Sequence, residues 1–127
     1  MASVIVTLNP EMNVTGSQVK RTGTITFPDA QDGGYTLGGT SIDPSQFGYG
    51  VLDAIDLELG VDPANPSLAI QANIKTALPI KGSWNPLLPQ ALIQAFWTGA
   101  GTDPFKEVAD TTDISPYVIK FTAWGVN

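Results

Sequence analysis

The chain has 127 residues, enough for one domain, and only 14% of them are charged, against roughly 25% in an average globular domain. It has no cysteine and no histidine, which removes disulfides, thiolate metal sites and Ser-His or Cys-His catalysis. The net charge is −6 with Arg21 as the lone arginine, so the clustered Lys and Arg that phosphate neutralisation needs are missing.

In chain order, residues 1–8 (M-A-S-V-I-V-T-L) are β-prone, and Val4, Ile5 and Val6 put apolar side chains on both faces. Residues 1–10 are read as a first strand of the chain's own sheet, with an arm that adds to a neighbouring subunit's sheet as the alternative. Asn9-Pro10 is expected to turn the chain, and residues 13–17 to form a loop. Residues 19–27 (V-K-R-T-G-T-I-T-F) give the clearest strand. Val19, Ile25 and Phe27 share one parity, and Lys20, Thr22, Thr24 and Thr26 the other. Gly23 lacks a side chain in mid-strand, which predicts a bulge or a close backbone neighbour.

Residues 28–34 are a turn, residues 35–37 a short strand, and residues 42–50 a tight turn or one helical turn capped by Asp43 or Ser45, with Phe47 plugging the core edge. Residues 51–59 alternate as a strand, with Val51, Asp53, Ile55, Leu57 and Leu59 on one face and Leu52, Ala54, Asp56 and Glu58 on the other. Residues 60–66 are a turn. Residues 68–75 alternate with Leu68, Ile70, Ala72 and Ile74 inward. Residues 76–90 carry several prolines and form a long surface loop. Residues 91–97 are a strand, residues 105–108 a short strand or turn, and residues 117–124 the last strand, with Tyr117, Ile119, Phe121 and Ala123 on one face.

About eight short strands at this spacing, separated by Gly- and Pro-bearing turns, predict an all-β fold: a single two-sheet antiparallel β-sandwich, with jelly-roll connections as one arrangement. No apolar run approaches the ~18 residues of a membrane helix, and no secretory signal is visible. The expectation is a soluble protein made in a cytoplasm, binding no membrane and no cofactor.

Candidate chemistry is sparse. Asp56 and Glu58 form a carboxylate pair two residues apart, which a solvated strand face explains better than hydrolysis. Asp29 and Asp32 in D-A-Q-D-G-G depart from calcium-loop spacing, as do Asp110 and Asp113, and Asx turns account for both. Trp84, Trp97 and Trp124 are candidates for a sugar platform; Trp97 and Trp124 sit in predicted strands, where core burial is the better explanation. The candidate partner-contact residues are Val4, Ile5, Val6 and Leu8 of the first segment, and Leu78, Ile80, Trp84, Leu87 and Leu88 of the proline-rich loop.

The order of several short motifs resembles head decoration (cement) proteins of tailed bacteriophages. These motifs are the G-T-I-T-F of residues 23–27, then Tyr35, Gly38-Gly39, and Asp43-Pro44-Ser45-Gln46-Phe47-Gly48. They continue with the strand at residues 52–57, Glu107-Val108-Ala109, Asp113-Ile114-Ser115, and the last strand with Gly125 after it. The resemblance implies a non-enzymatic virion structural protein on the capsid exterior. It would contact the major capsid protein and act as a homo-oligomer, with a trimer favoured, and without binding nucleic acid. A head–tail or tail structural protein and a carbohydrate-binding β-sandwich are the alternatives.

Overall fold

The computed structural model of the chain describes residues 3–82, 91–98 and 106–126. Among them run nine strands: β1 (Ile5–Thr15), β2 (Gln18–Thr26), β3 (Thr40–Ile42), β4 (Val51–Leu57), β5 (Gly60–Asp62), β6 (Asn65–Ile74), β7 (Ile80–Lys81), β8 (Ala91–Trp97) and β9 (Ile119–Val126). Two short 3-10 turns, Ala30–Asp32 and Pro44–Phe47, are the helical elements found there. The strands form a five-stranded sheet, ordered β1-β2-β9-β4-β7, and a four-stranded sheet, ordered β3-β8-β6-β5, with antiparallel pairing throughout. After β2 the chain crosses to the other sheet at each step, with the β5–β6 hairpin counting as one step. The two antiparallel sheets therefore form a sandwich-like arrangement, in which β8 pairs with β6 and β5 takes the edge.

One core joins the two inner faces. Ile25, Phe27, Leu52, Ile119, Phe121 and Ala123 of the larger sheet and its flanks are buried with Ile42, Ile70, Ala72, Ile93 and Ala95 of the smaller one. Each large apolar side chain buried this way contributes about 1.5–3 kcal/mol. Phe121 meets Phe47 edge to face at 5.0 Å, which is how the Pro44–Phe47 turn plugs one end of the sandwich. Backbone bonds lace the two sides. Val4 N–H donates to Ser41 C=O at 3.1 Å, and Val61 and Val118 exchange N–H···O=C bonds at 3.2 and 3.0 Å.

Strand β2 lies between β1 and β9, and its inner parity holds as expected. At Gly23 both expected features are present. A Cβ there would overlap the Thr7 carbonyl oxygen and lie 3.0 Å from the Phe121 ring, and the β1 partner slips register between Leu8 and Met12. The alternation of β6 and β9 also holds: Ile70, Ala72, Tyr117, Ile119, Phe121 and Ala123 are buried. Asp43 caps the Pro44–Phe47 turn, accepting from Ser45 N–H while Gln46 Oε1 accepts from Asp43 N–H.

Several expectations are corrected. Asn9-Pro10 does not turn the chain. It sits in a bulge, and β1 continues to Thr15, so the hairpin turn is at Gly16-Ser17. A proline is tolerated there because β1 is an edge strand. Residues 35–37 are not a strand. Tyr35 is instead buried edge to face against Phe27, with its backbone tied to Thr111 and Thr112. In β4 the register slips between Leu52 and Ala54, so Asp53 is an extra residue and the parity inverts. Leu52, opposite Gly125, points inward, and so do Ile55 and Leu57 opposite Ala123 and Phe121. Residues 60–66 are mostly strand, and their turn narrows to Pro63 and Ala64.

Candidate partner-binding faces

Because β2, β9 and β4 alternate, every second side chain leaves the five-stranded sheet on the face away from the core. The register sets these residues in rows. Thr7, Thr24 and Lys120 lie side by side, then Thr22, Thr122 and Asp56, then Lys20, Trp124 and Ala54. Asn9, lifted by the bulge in β1, donates from Nδ2 to Thr22 Oγ1 at 3.0 Å and walls one side of a depression of about 350 Å³. Glu58 and Lys120 line the same depression. Two lysines (Lys20, Lys120) stand among three carboxylates on this face: Asp56, Glu58, and Asp53, whose Oδ2 accepts from Gln18 Nε2 at 3.3 Å. Threonine hydroxyls, Asn9, Trp124 and the apolar Ile5 and Ala54 supply the rest. Such a surface offers donors, acceptors and an aromatic anchor at little desolvation cost, which suits a broad contact with another protein.

The nine candidate contact residues separate sharply. Val4 is 2% exposed and Ile80 7%, so both belong to the core and are corrected as contact candidates. The reason is register. Val4, Val6 and Leu8 share the inward parity of β1, with Val6 and Leu8 half-buried against the core, and Ile80 pairs with the buried Leu52. Ile5, 56% exposed, stands opposite Thr26 on the outer face, so the V-I-V run is apolar on both faces but buried on one. Leu78 is also exposed, beside a depression lined by Ile55, Leu57 and Ile74. Trp84, Leu87 and Leu88 lie outside the described residues. Residues 5–8 pair with β2, so this segment is the edge of the chain's own sheet and not a free arm.

The sequence reading missed three residues. Trp124 is not core. It falls on the parity opposite Phe121 and Ala123 and lies half-buried between Lys20 and Ala54. That parity was visible in the alternation of residues 117–124. Met12 and Val14, 54% and 62% exposed, were hidden by the assumption that the chain turns at Pro10. Trp97 does pack against the core, edge to face with Tyr117 at 5.8 Å.

The Asp29 and Asp113 turns have local explanations, whereas Asp110 bonds across the fold. Asp29 Oδ1 accepts from Asp32 N–H, Asp110 Oδ1 from Leu37 N–H, and Asp113 Oδ1 from Ser115 N–H and Oγ–H. The Ser115 bonds hold the Asp113 carboxyl below its ordinary range. Among the described residues no group of three or more acidic side chains is placed to hold a metal ion. Asp56 and Glu58 are both exposed. The polar network of the interior is elsewhere: Tyr35 O–H donates to Glu107 Oε2 at 2.6 Å, Gly38 N–H donates to the same oxygen at 2.7 Å, and Ala95 N–H donates to the Tyr35 hydroxyl at 3.1 Å. Burial, and then the Glu107 bond, push the Tyr35 phenol far above its ordinary value.

No protein-family model matches the chain, and neither a curated protein nor a solved structure does.

Proposed function

We propose that this protein is a non-enzymatic virion component that decorates the outside of an assembled bacteriophage head, contacts the major capsid protein and stabilises the shell. The observation that carries the proposal is the outer face of the five-stranded sheet, which is hydroxyl-rich, of mixed charge and carries Trp124. The order of the motifs that resemble decoration proteins supports it, and so does the low charge density. An excess of carboxylates suits the exterior of a DNA-filled shell and would oppose wrapping DNA. A ligand that binds only the assembled shell stabilises it by mass action, by about 2.7 kcal/mol at a hundredfold excess over Kd.

The test is co-sedimentation with undecorated heads. The native chain should bind saturably. Trp124→Ala should weaken binding by roughly thirtyfold, as expected when a hot-spot tryptophan is truncated. Thr22→Lys should weaken it further. Both variants should stay folded, since neither side chain belongs to the buried core, and their melting curves separate a binding loss from unfolding. Native binding with no loss in either variant would move the contact to another face. No saturable binding by the native chain would end the proposal.

A further inference from the structure

Strand β1 forms one edge of the larger sheet, and the backbone groups on its outer side have no strand partner among the described residues. Exposed strand edges are templates for further pairing, and natural proteins blunt them with proline, bulges or charge. Here the blunting is confined to the middle. Pro10 and the bulge between Leu8 and Met12 interrupt residues 9–11. Ahead of the bulge, the chain is tied at residue 4: Val4 N–H donates to Ser41 C=O, and Gln46 Nε2 donates to Val4 C=O at 2.7 Å. Residues 12–15 carry no proline and no charge. That is where Met12 and Val14 stand 54% and 62% exposed, opposite Arg21 and Val19 of β2.

We infer that residues 12–15 are a self-pairing edge, whose partner is the same stretch of a second copy of this chain. The geometry points to a second copy because the stretch is self-complementary. Antiparallel pairing about a two-fold axis through Asn13 sets Met12 opposite the partner's Val14, and Val14 opposite the partner's Met12. Side chains directly opposite in an antiparallel pair are about 4.5–5.5 Å apart, so both exposed apolar residues of each copy become covered. Val19 and Arg21 flank them in the next strand. On the other face the two Asn13 amides meet. An amide is both donor and acceptor, so each satisfies the other. The two five-stranded sheets then continue into one, through an isologous contact of the commonest symmetry. Pro10 and the bulge limit the pairing to this stretch and fix its register, which prevents open-ended growth along the edge. The contact is small, and interfaces under ~1,200 Å² are typically transient, so the dimer is expected to depend on concentration. None of this depends on where the protein acts, and the two-fold contact gives a dimer where the resemblance implies a trimer.

Sedimentation velocity over a concentration series tests the inference, together with single-cysteine variants of a chain that has no cysteine of its own. A reversible monomer–dimer equilibrium is expected. The double variant Met12→Lys/Val14→Lys places like charges opposite each other in both cross-strand pairs and should raise the dimer Kd at least about tenfold. Its melting temperature should fall only slightly, because both side chains are exposed and the one like-charge pair made within the chain is position 12 against Arg21. On mild oxidation Asn13→Cys should cross-link into disulfide dimers much faster than Thr7→Cys, which lies on the same strand but far from the proposed axis. A chain that stays monomeric at every concentration, an assembly that survives the double lysine variant, or equal cross-linking at positions 13 and 7 would each overturn the inference.

Discussion

Replacing Gly23 by alanine tests the central claim about how the larger sheet is built. The added Cβ would overlap the Thr7 carbonyl oxygen, with the Phe121 ring at 3.0 Å and Leu8 Cα at 3.1 Å. A flexible side chain can swing away, but a carbonyl within a ladder cannot move without opening the β1–β2 pairing at Thr7↔Thr24 and Leu8↔Gly23. Overpacking of this kind costs about 1–3 kcal/mol, and backbone obstruction puts Gly23 at the upper end. The reduced freedom of the unfolded chain returns about 0.4–1 kcal/mol. A net loss of about 2 kcal/mol is a large share of the 5–15 kcal/mol that holds a typical domain together. For a chain of this length it lowers the melting temperature by about 7–8 °C. Urea unfolding followed by tryptophan fluorescence measures the loss, and thermal unfolding followed by circular dichroism measures the shift. Gly82→Ala is the matched control, since a Cβ there meets nothing closer than the Gly50 carbonyl oxygen at 3.4 Å. If Gly23→Ala melts within ~2 °C of the parent chain, the close approach of β1 and Phe121 is not as described.

Two other substitutions probe the loops that close the sandwich. Tyr35→Phe removes a bond to a carboxylate and leaves the Ala95 N–H without its acceptor, which should cost about 3 kcal/mol by urea denaturation. The same tyrosine sets an alkaline limit. Its folded pKa lies above the unfolded value near 10, and burial likewise raises Tyr49 and Tyr117. The folded state therefore keeps protons that the unfolded chain releases, so stability is fully present below about pH 10 and is lost as pH rises beyond it. The slope of stability against pH above 10 should be shallower in Tyr35→Phe; an unchanged slope would mean that the phenol is not buried as described. Gln46→Ala removes both the acceptor for Asp43 N–H and the donor to Val4 C=O, and should cost about 1–2 kcal/mol. Ser45→Ala, beside it and exposed, should cost under about 0.5 kcal/mol. Equal effects at positions 45 and 46 would refute the tie between the capped turn and β1.

The fold class was legible in the sequence because strand periodicity is a local signal. Residues 68–75 and 117–124 alternate without a break, and their buried sets follow directly. Where the sequence misled, a non-local choice had inverted a local pattern. Asp53 becomes an extra residue only when β4 pairs with β9, and nothing within residues 51–59 announces that. Pro10 reads as a turn signal unless the strand is known to be an edge. Tyr35 looks like a strand residue until its hydroxyl finds Glu107, 72 positions away. The candidate faces were harder still. Val4 and Ile80 looked like contact residues because apolar side chains near a terminus or in a proline-rich loop are ambiguous until the register assigns them a side. Trp124 was readable from parity alone, and the general tendency of strand tryptophans to be buried outweighed that evidence.

The measurement that bears most directly on the proposed role is a reconstruction of undecorated bacteriophage heads incubated with and without this chain. The account predicts extra density on the outer surface at a fixed symmetry position, with the Trp124 face of the sandwich toward the shell, and heads that withstand higher temperature. Heads with no added density at saturating protein, or density confined to a tail, would contradict it.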